Sequence, residues 1–253
     1  MSPRRALTCA ALFAAACFLA ATALAWSERH TLQDLARSVA HRASGKATVR
    51  QRVRQHGPRA RKRLLPWLKR AGVSWPPARV TLVALKQERE LRLYAADADQ
   101  PLRFVRSYPI RRQGRLTGPK LREGDRRTPE GIYRVDFLNP NSTNHLSMRI
   151  DYPNAADRAQ AELDGRTRLG GEIYIHGKTT SIGCVAMGDR VIEELFVLAA
   201  EVGREAITVI ISPSDMTRGP PPRWARRQPE WVQARYGRIR EALEGLPEVG
   251  ATR

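Results

Sequence analysis

Between residues 79 and 211 apolar and polar positions alternate in short runs, the spacing of β-strands. Arg79-Val-Thr-Leu-Val-Ala-Leu-Lys86 and Glu90-Leu-Arg-Leu-Tyr94 read as two strands joined by a tight turn at Gln87-Glu88-Arg89, and 102–108 reads as a third. Segments 131–137, 146–150, 172–175 and 206–211 continue the pattern. One stretch switches to helical spacing: Val191, Ile192, Leu195, Phe196, Ala199 and Val202 share a face from about Asp189 to Val202, and Gly203 supplies the stop. The fold these elements predict is mainly β with a few packed helices.

The flanks follow different rules. Met1-Ser-Pro-Arg-Arg5 precedes an apolar run from Ala6 to Trp26, broken only by Thr8 and Thr22 and closing on Ala23-Leu-Ala25. A positive start, an apolar stretch and an A-x-A site predict that residues 1–25 are a signal peptide, or a retained membrane anchor, for export to the periplasm or cell envelope. Residues 26–78 form a basic flank, with twelve Lys/Arg and no acid from Arg37 to Arg70 among sparse apolar residues, which looks like helical or loosely ordered arm material. It reads either as a solvated spacer or as an arm adhering to anionic lipid or wall polymer. Trp75-Pro76-Pro77 breaks any helix and marks the start of a central domain over 79–212. Residues 213–253 are a Pro/Arg-rich extension whose last part, 229–246, has helical spacing.

Charge sharpens this division. The 253 residues carry 44 Lys+Arg against 25 Asp+Glu, a net +19. The first 78 hold 15 basic and 2 acidic residues, whereas 79–212 hold 21 and 18, so the basic character belongs mainly to the flank. An exported chain with a near-neutral domain and no aromatic interleaving in its basic run is not a nucleic-acid binder. Cys9 and Cys17 lie in the exported segment, which leaves Cys184 as the lone thiol of the body and no intramolecular disulfide after cleavage. A single thiol kept in an oxidising compartment is either a reactive group or an inert buried one.

The chemistry concentrates in Ile173-Tyr-Ile-His176-Gly177-Lys-Thr-Thr-Ser181-Ile182-Gly183-Cys184-Val-Ala-Met187. A histidine at a strand end, a short polar loop and a Gly-Cys step before a helix can fold the imidazole onto the thiol, and the helix N-terminus would favour a thiolate. Small residues before the sulfur leave backbone N–H groups to face an oxyanion. Zinc is the competing use of Cys plus His, but the loop offers two ligands where a site needs three or four, so neither a metal nor another cofactor is expected. His145, in the polar run Asn139–His145, is a candidate for the substrate groove or a loop-packing residue. Arg127, with Arg122 and Arg126, can meet peptide carboxylates or face solvent. Thr128-Pro129-Glu130-Gly131 is most simply a turn feeding a strand.

His176-Gly177, Ser181-Ile182-Gly183-Cys184 and the upstream Gly124-Asp-Arg-Arg-Thr128-Pro129-Glu-Gly131 together resemble the L,D-transpeptidase (YkuD-type) catalytic domain over about residues 79–212. The resemblance implies a β-rich core, an envelope location and a cysteine nucleophile acting on peptidoglycan stem peptides. It assigns the nucleophile to Cys184, the base to His176, ring orientation to the Gly177 carbonyl, and oxyanion stabilisation to the N–H groups of Gly183 and Cys184. Ser181 falls in the motif beside the substrate. Two departures stand out: Ile182 replaces a second histidine, and Ala186 replaces a polar residue. With the short His176-to-Cys184 spacing, they resemble a divergent branch that includes a hydrolase releasing a wall-linked lipoprotein. Transpeptidation and hydrolysis share an acyl-enzyme and differ in whether amine or water resolves it. A non-catalytic basic envelope-binding module is the alternative of another class, and thiol labelling of Cys184 separates the two.

Overall fold

The computed structural model describes residues 45–115, 118–220 and 223–249. The proposed signal or anchor at 1–25 lies outside the described residues. Among those described, no helix is long and apolar enough to cross a membrane.

From Ala47 onward the chain forms one unit. Eight strands make a mixed sheet: β1 Arg79–Leu85, β2 Glu90–Ala96, β3 Arg103–Pro109, β4 Gly131–Asn139, β5 Ser147–Ile150, β6 Tyr174–His176, β7 Val185–Ala186 and β8 Ile207–Ser212, in the order β3-β2-β1-β8-β4-β5-β6-β7. The pairs β1/β8 and β6/β7 are parallel and the others antiparallel. β4 joins the two halves: Gly131–Arg134 pair with β8, and Val135–Asn139 pair with β5, with a register shift between Val135 and Phe137.

Four α-helices cover the sheet: α1 Val49–Ala71, α2 Ala155–Leu163, α3 Asp189–Val202 and α4 Glu230–Glu244. Because a strand presents alternate residues to opposite faces, β1 serves two cores. Val80, Leu82 and Ala84 join the larger core with α1 and α3, while Val83 and Leu85 join a second core against Val232, Tyr236, Ile239 and Leu243 of α4. Burial on both faces explains why Val80-Thr-Leu-Val-Ala-Leu85 is a nearly continuous apolar run.

The basic flank is not a spacer over its helical part. Thr48 caps α1 in a reciprocal box with Gln51, and Gly72 closes it in the left-handed conformation. Ala60, Leu64, Leu68 and Ala71 recur at three- and four-residue spacing and are buried in the domain. The facing side of α3 answers the cations: Arg63 pairs with Glu193 at 3.2 Å and with Glu194 at 2.5 Å, and Arg61 pairs with Glu201. The boundary expected at residue 78 therefore runs through the packed unit, and the helix ends at Gly72 before the Trp75-Pro-Pro segment. The 213–253 extension likewise packs, through α4. Two elements were missing from the sequence reading: α2, started by an Asn154/Asp157 capping box, and the two-residue β7.

Candidate active site

The β6 and β7 edge carries the motif. β6 ends at His176, a buried residue, and pairs in parallel with β7 so that His176 faces Ala186. Cys184 sits one residue before β7, beside Tyr174, and strand alternation puts it on the His176 face. The Tyr174 N–H donates to Cys184 Sγ at 3.4 Å, and Sγ lies 3.6 Å from the Glu172 carbonyl. On its outer side β7 meets the chain after β3: the Arg111 N–H donates to the Ala186 carbonyl, and the Ala186 N–H to the Arg112 carbonyl, both at 2.8 Å.

His176 Nδ1 lies 2.6 Å from the Gly177 carbonyl oxygen. A carbonyl only accepts, so Nδ1 carries the hydrogen and Nε2 is left as a free base. Burial lowers the His176 pKa, with the Gly177 carbonyl opposing, so the ring is neutral near pH 7. Gly177 has to be glycine. A Cβ there would stand 2.6 Å from the Asn144 carbonyl oxygen and 2.7 Å from Asp189 Oδ1. That carboxylate accepts the Lys178 N–H at 2.7 Å, tying the loop to the start of α3.

Burial raises the Cys184 pKa above the ordinary thiol range, while the Tyr174 N–H and the Lys120 charge pull it down. The expected help from a helix N-terminus is not found: β7 intervenes, α3 starts five residues after Cys184, and its first residue is the acidic Asp189. The resting pair is thus a neutral thiol and a neutral imidazole, suited to proton transfer during attack rather than to a preformed ion pair.

A model of the L,D-transpeptidase catalytic domain, YkuD, matches residues 79–211, just over half of the chain. The chain belongs to the L,D-transpeptidase catalytic domain family. YafK of Escherichia coli (strain K12), provisionally named an L,D-transpeptidase, is 36% identical over 143 residues, covering 54% of this chain and 55% of YafK. YafK of E. coli O157:H7 matches equally. The chain thus spans about half the length of the curated relatives it matches. Among solved structures, the helical cell shape determining protein Pgp2 of Campylobacter jejuni is 22% identical with a TM-score of 0.44, covering 58% of this chain and 54% of Pgp2.

Within this L,D-transpeptidase domain the other predicted site residues hold the loops. Ser181 Oγ accepts the Gly183 N–H at 3.2 Å and donates to the Cys184 carbonyl at 2.7 Å, so it braces the cysteine loop. The Gly183 N–H expected for an oxyanion is therefore occupied. Arg127 places its carbonyl oxygen 3.3 Å from where a Gly183 Cβ would be, and its guanidinium donates to the Pro119 carbonyl at 3.4 Å, not to a groove. The His145 ring points away to α3, with Nε2 3.1 Å from Glu193 Oε1.

Sequence reasoning missed what anchors these loops. Lys86 and Glu130, both fully buried, pair at 2.7 Å, and Lys86 Nζ also donates to the Gly118 and Thr128 carbonyls at 3.1 and 3.3 Å. Tyr236 Oη donates to the second Glu130 oxygen at 2.6 Å. Burial pushes the Lys86 ammonium below its ordinary range, with Glu130 opposing. The Thr-Pro-Glu-Gly turn thus pins the 118–128 loop beneath Gly183. Its Thr128 Oγ accepts the Gly114 N–H at 2.9 Å. Lys120, which bonds Asp125 at 2.9 Å, likewise carried no local signal. A lysine and a glutamate 44 residues apart look solvated in sequence, and only the fold buries them together.

Proposed function

We propose that this chain is an exported cysteine acyltransferase of the bacterial cell envelope, acting on peptidoglycan stem peptides through a thioester on Cys184. The observation that carries the reading is the tautomer set by the Gly177 carbonyl, which leaves His176 Nε2 free on the face shared with Cys184. His176 Nε2 takes the thiol proton as Sγ attacks the scissile carbonyl carbon. The oxyanion is met by the Cys184 N–H, and by the Gly183 N–H once it releases Ser181. The imidazolium then returns the proton to the leaving amine as the C–N bond breaks. An amine or water attacks the resulting thioester, and sulfur leaves as the thiol. In this reading residues 1–25 direct export, and the exposed cations of α1, among them Arg50, Arg54, Arg59 and Lys62, face anionic wall polymer or lipid.

The test is incubation of the full chain with purified crosslinked peptidoglycan, with and without an acceptor peptide, followed by mass analysis. A new amide to the acceptor marks transpeptidation, and water-resolved product in both arms marks hydrolysis. Cys184→Ala should abolish both products and the thioester while leaving the circular dichroism spectrum unchanged. Turnover retained by that variant would remove Cys184 from the mechanism. No product from the folded parent chain would favour the non-catalytic binding module.

A further inference from the structure

Outside the cysteine loop, two imidazoles from remote parts of the chain converge on one carboxylate. His56 belongs to α1, His145 to the loop before β5 and Glu193 to α3. Glu193 Oε1 stands 3.2 Å from His56 Nδ1 and 3.1 Å from His145 Nε2. The three ligand atoms all lie within 4.8 Å of one another, and the two rings meet edge to face with centroids 5.2 Å apart. We propose that His56, His145 and Glu193 form a binding site for one divalent transition-metal ion of the zinc class, separate from the Cys184 site.

Three features support it. Zinc bonds to nitrogen and carboxylate oxygen of about 2.0–2.2 Å at tetrahedral angles put neighbouring ligand atoms about 3.3 Å apart, close to both measured edges. Two histidines and one carboxylate also match zinc in softness and leave a fourth position for water. His56 is buried, so its ring is held at the junction rather than in solvent. Two cations border the cluster. Arg63 holds the other carboxylate oxygen, Oε2, at 3.2 Å, which leaves Oε1 to the ion, and Arg52 adds positive charge near His56. His56, in the basic flank, is thus part of a three-element junction.

The site would act on structure. His145 has a left-handed backbone, φ 75°, and its Cβ lies 3.1 Å from where a Gly177 Cβ would be. An ion at the junction ties α1 and α3 to the loop packed against the peptide that orients His176, without touching Cys184.

Cobalt(II) is the probe, added to metal-stripped full-length protein carrying Cys184→Ser. The expected result is one equivalent bound, ligand-field absorption without a sulfur-to-cobalt charge-transfer band, and a raised unfolding temperature. His145→Asn suits the left-handed backbone, and His56→Gln keeps a polar group in place. Each should weaken binding by at least about 100-fold, a loss no smaller than outer-shell changes produce, while circular dichroism reports the fold. Absence of binding to the folded protein, a sulfur charge-transfer band, or binding that survives both histidine variants would overturn the site. None of these readouts depends on peptidoglycan turnover.

Discussion

Leu68 tests whether the basic flank belongs to the domain. Its side chain is 0% exposed, inside the core that α1 shares with β1, β2 and α3. Truncation of a fully buried leucine to alanine costs about 2–5 kcal/mol, from lost transfer energy plus the cavity left behind. Domain stabilities are about 5–15 kcal/mol, so Leu68→Ala removes a large share. The full chain would be unfolded in urea and followed by tryptophan fluorescence. With a slope of about 2 kcal/mol per molar, the midpoint should fall by about 1–2.5 M at unchanged slope. Leu65→Ala, on the same helix but 43% exposed, should shift stability by under about 1 kcal/mol. If 26–78 were a solvated spacer, Leu68→Ala would fall within about 0.5 kcal/mol of the parent, and that result would refute the packing assigned to α1. A truncation starting near Pro76 separates the same two readings. The spacer reading has it active on small soluble peptides, whereas loss of Leu64, Leu68 and Ala71 from the core should leave it unfolded.

Five further outcomes follow from the site and the groups that support it. Because burial raises the Cys184 pKa, iodoacetamide labelling should climb about tenfold per pH unit between about pH 6 and 8, and a flat rate there would indicate a preformed thiolate. His176→Ala should lower turnover by about 10²- to 10⁴-fold. In the parent the lowered His176 pKa keeps the ring neutral to more acidic pH, so the acid limb of the rate profile should lie below about pH 6.5. Gly177→Ala should keep the fold but lower kcat by about 100-fold, since the new methyl displaces the peptide that orients His176, and an unchanged kcat would argue against that role. Lys86→Met should destabilise by about 3–5 kcal/mol by stranding the Glu130 carboxylate, with partial recovery in the Lys86→Met, Glu130→Leu double variant, both read by urea unfolding.

Seven of the eight strands, α3 and the Cys184/His176 pair were legible along the chain, because each rests on short-range order. Alternation marks a strand, an amphipathic period marks α3, and the motif spans eight residues from imidazole to thiol. Strand limits moved by a residue or two: β6 begins at Tyr174, and Glu172 before it adopts φ 55°. The apolar stripe of α1 was present as Ala60, Leu64, Leu68 and Ala71, but Pro58, Pro66 and the surrounding cations hid it, since the acids that answer those cations lie more than 120 residues away on α3. The roles of Ser181, Arg127 and His145 went the same way: residue type allowed substrate contact, and the packed loops engaged each group elsewhere. Local sequence thus determined seven of the strands, α3 and the place of the Cys184/His176 motif. Only tertiary structure decided which polar groups meet, with Lys86 and Glu130 buried together and His56 and His145 brought to Glu193, because a polar group withdrawn from water needs a partner and the fold alone supplies it from a distant segment.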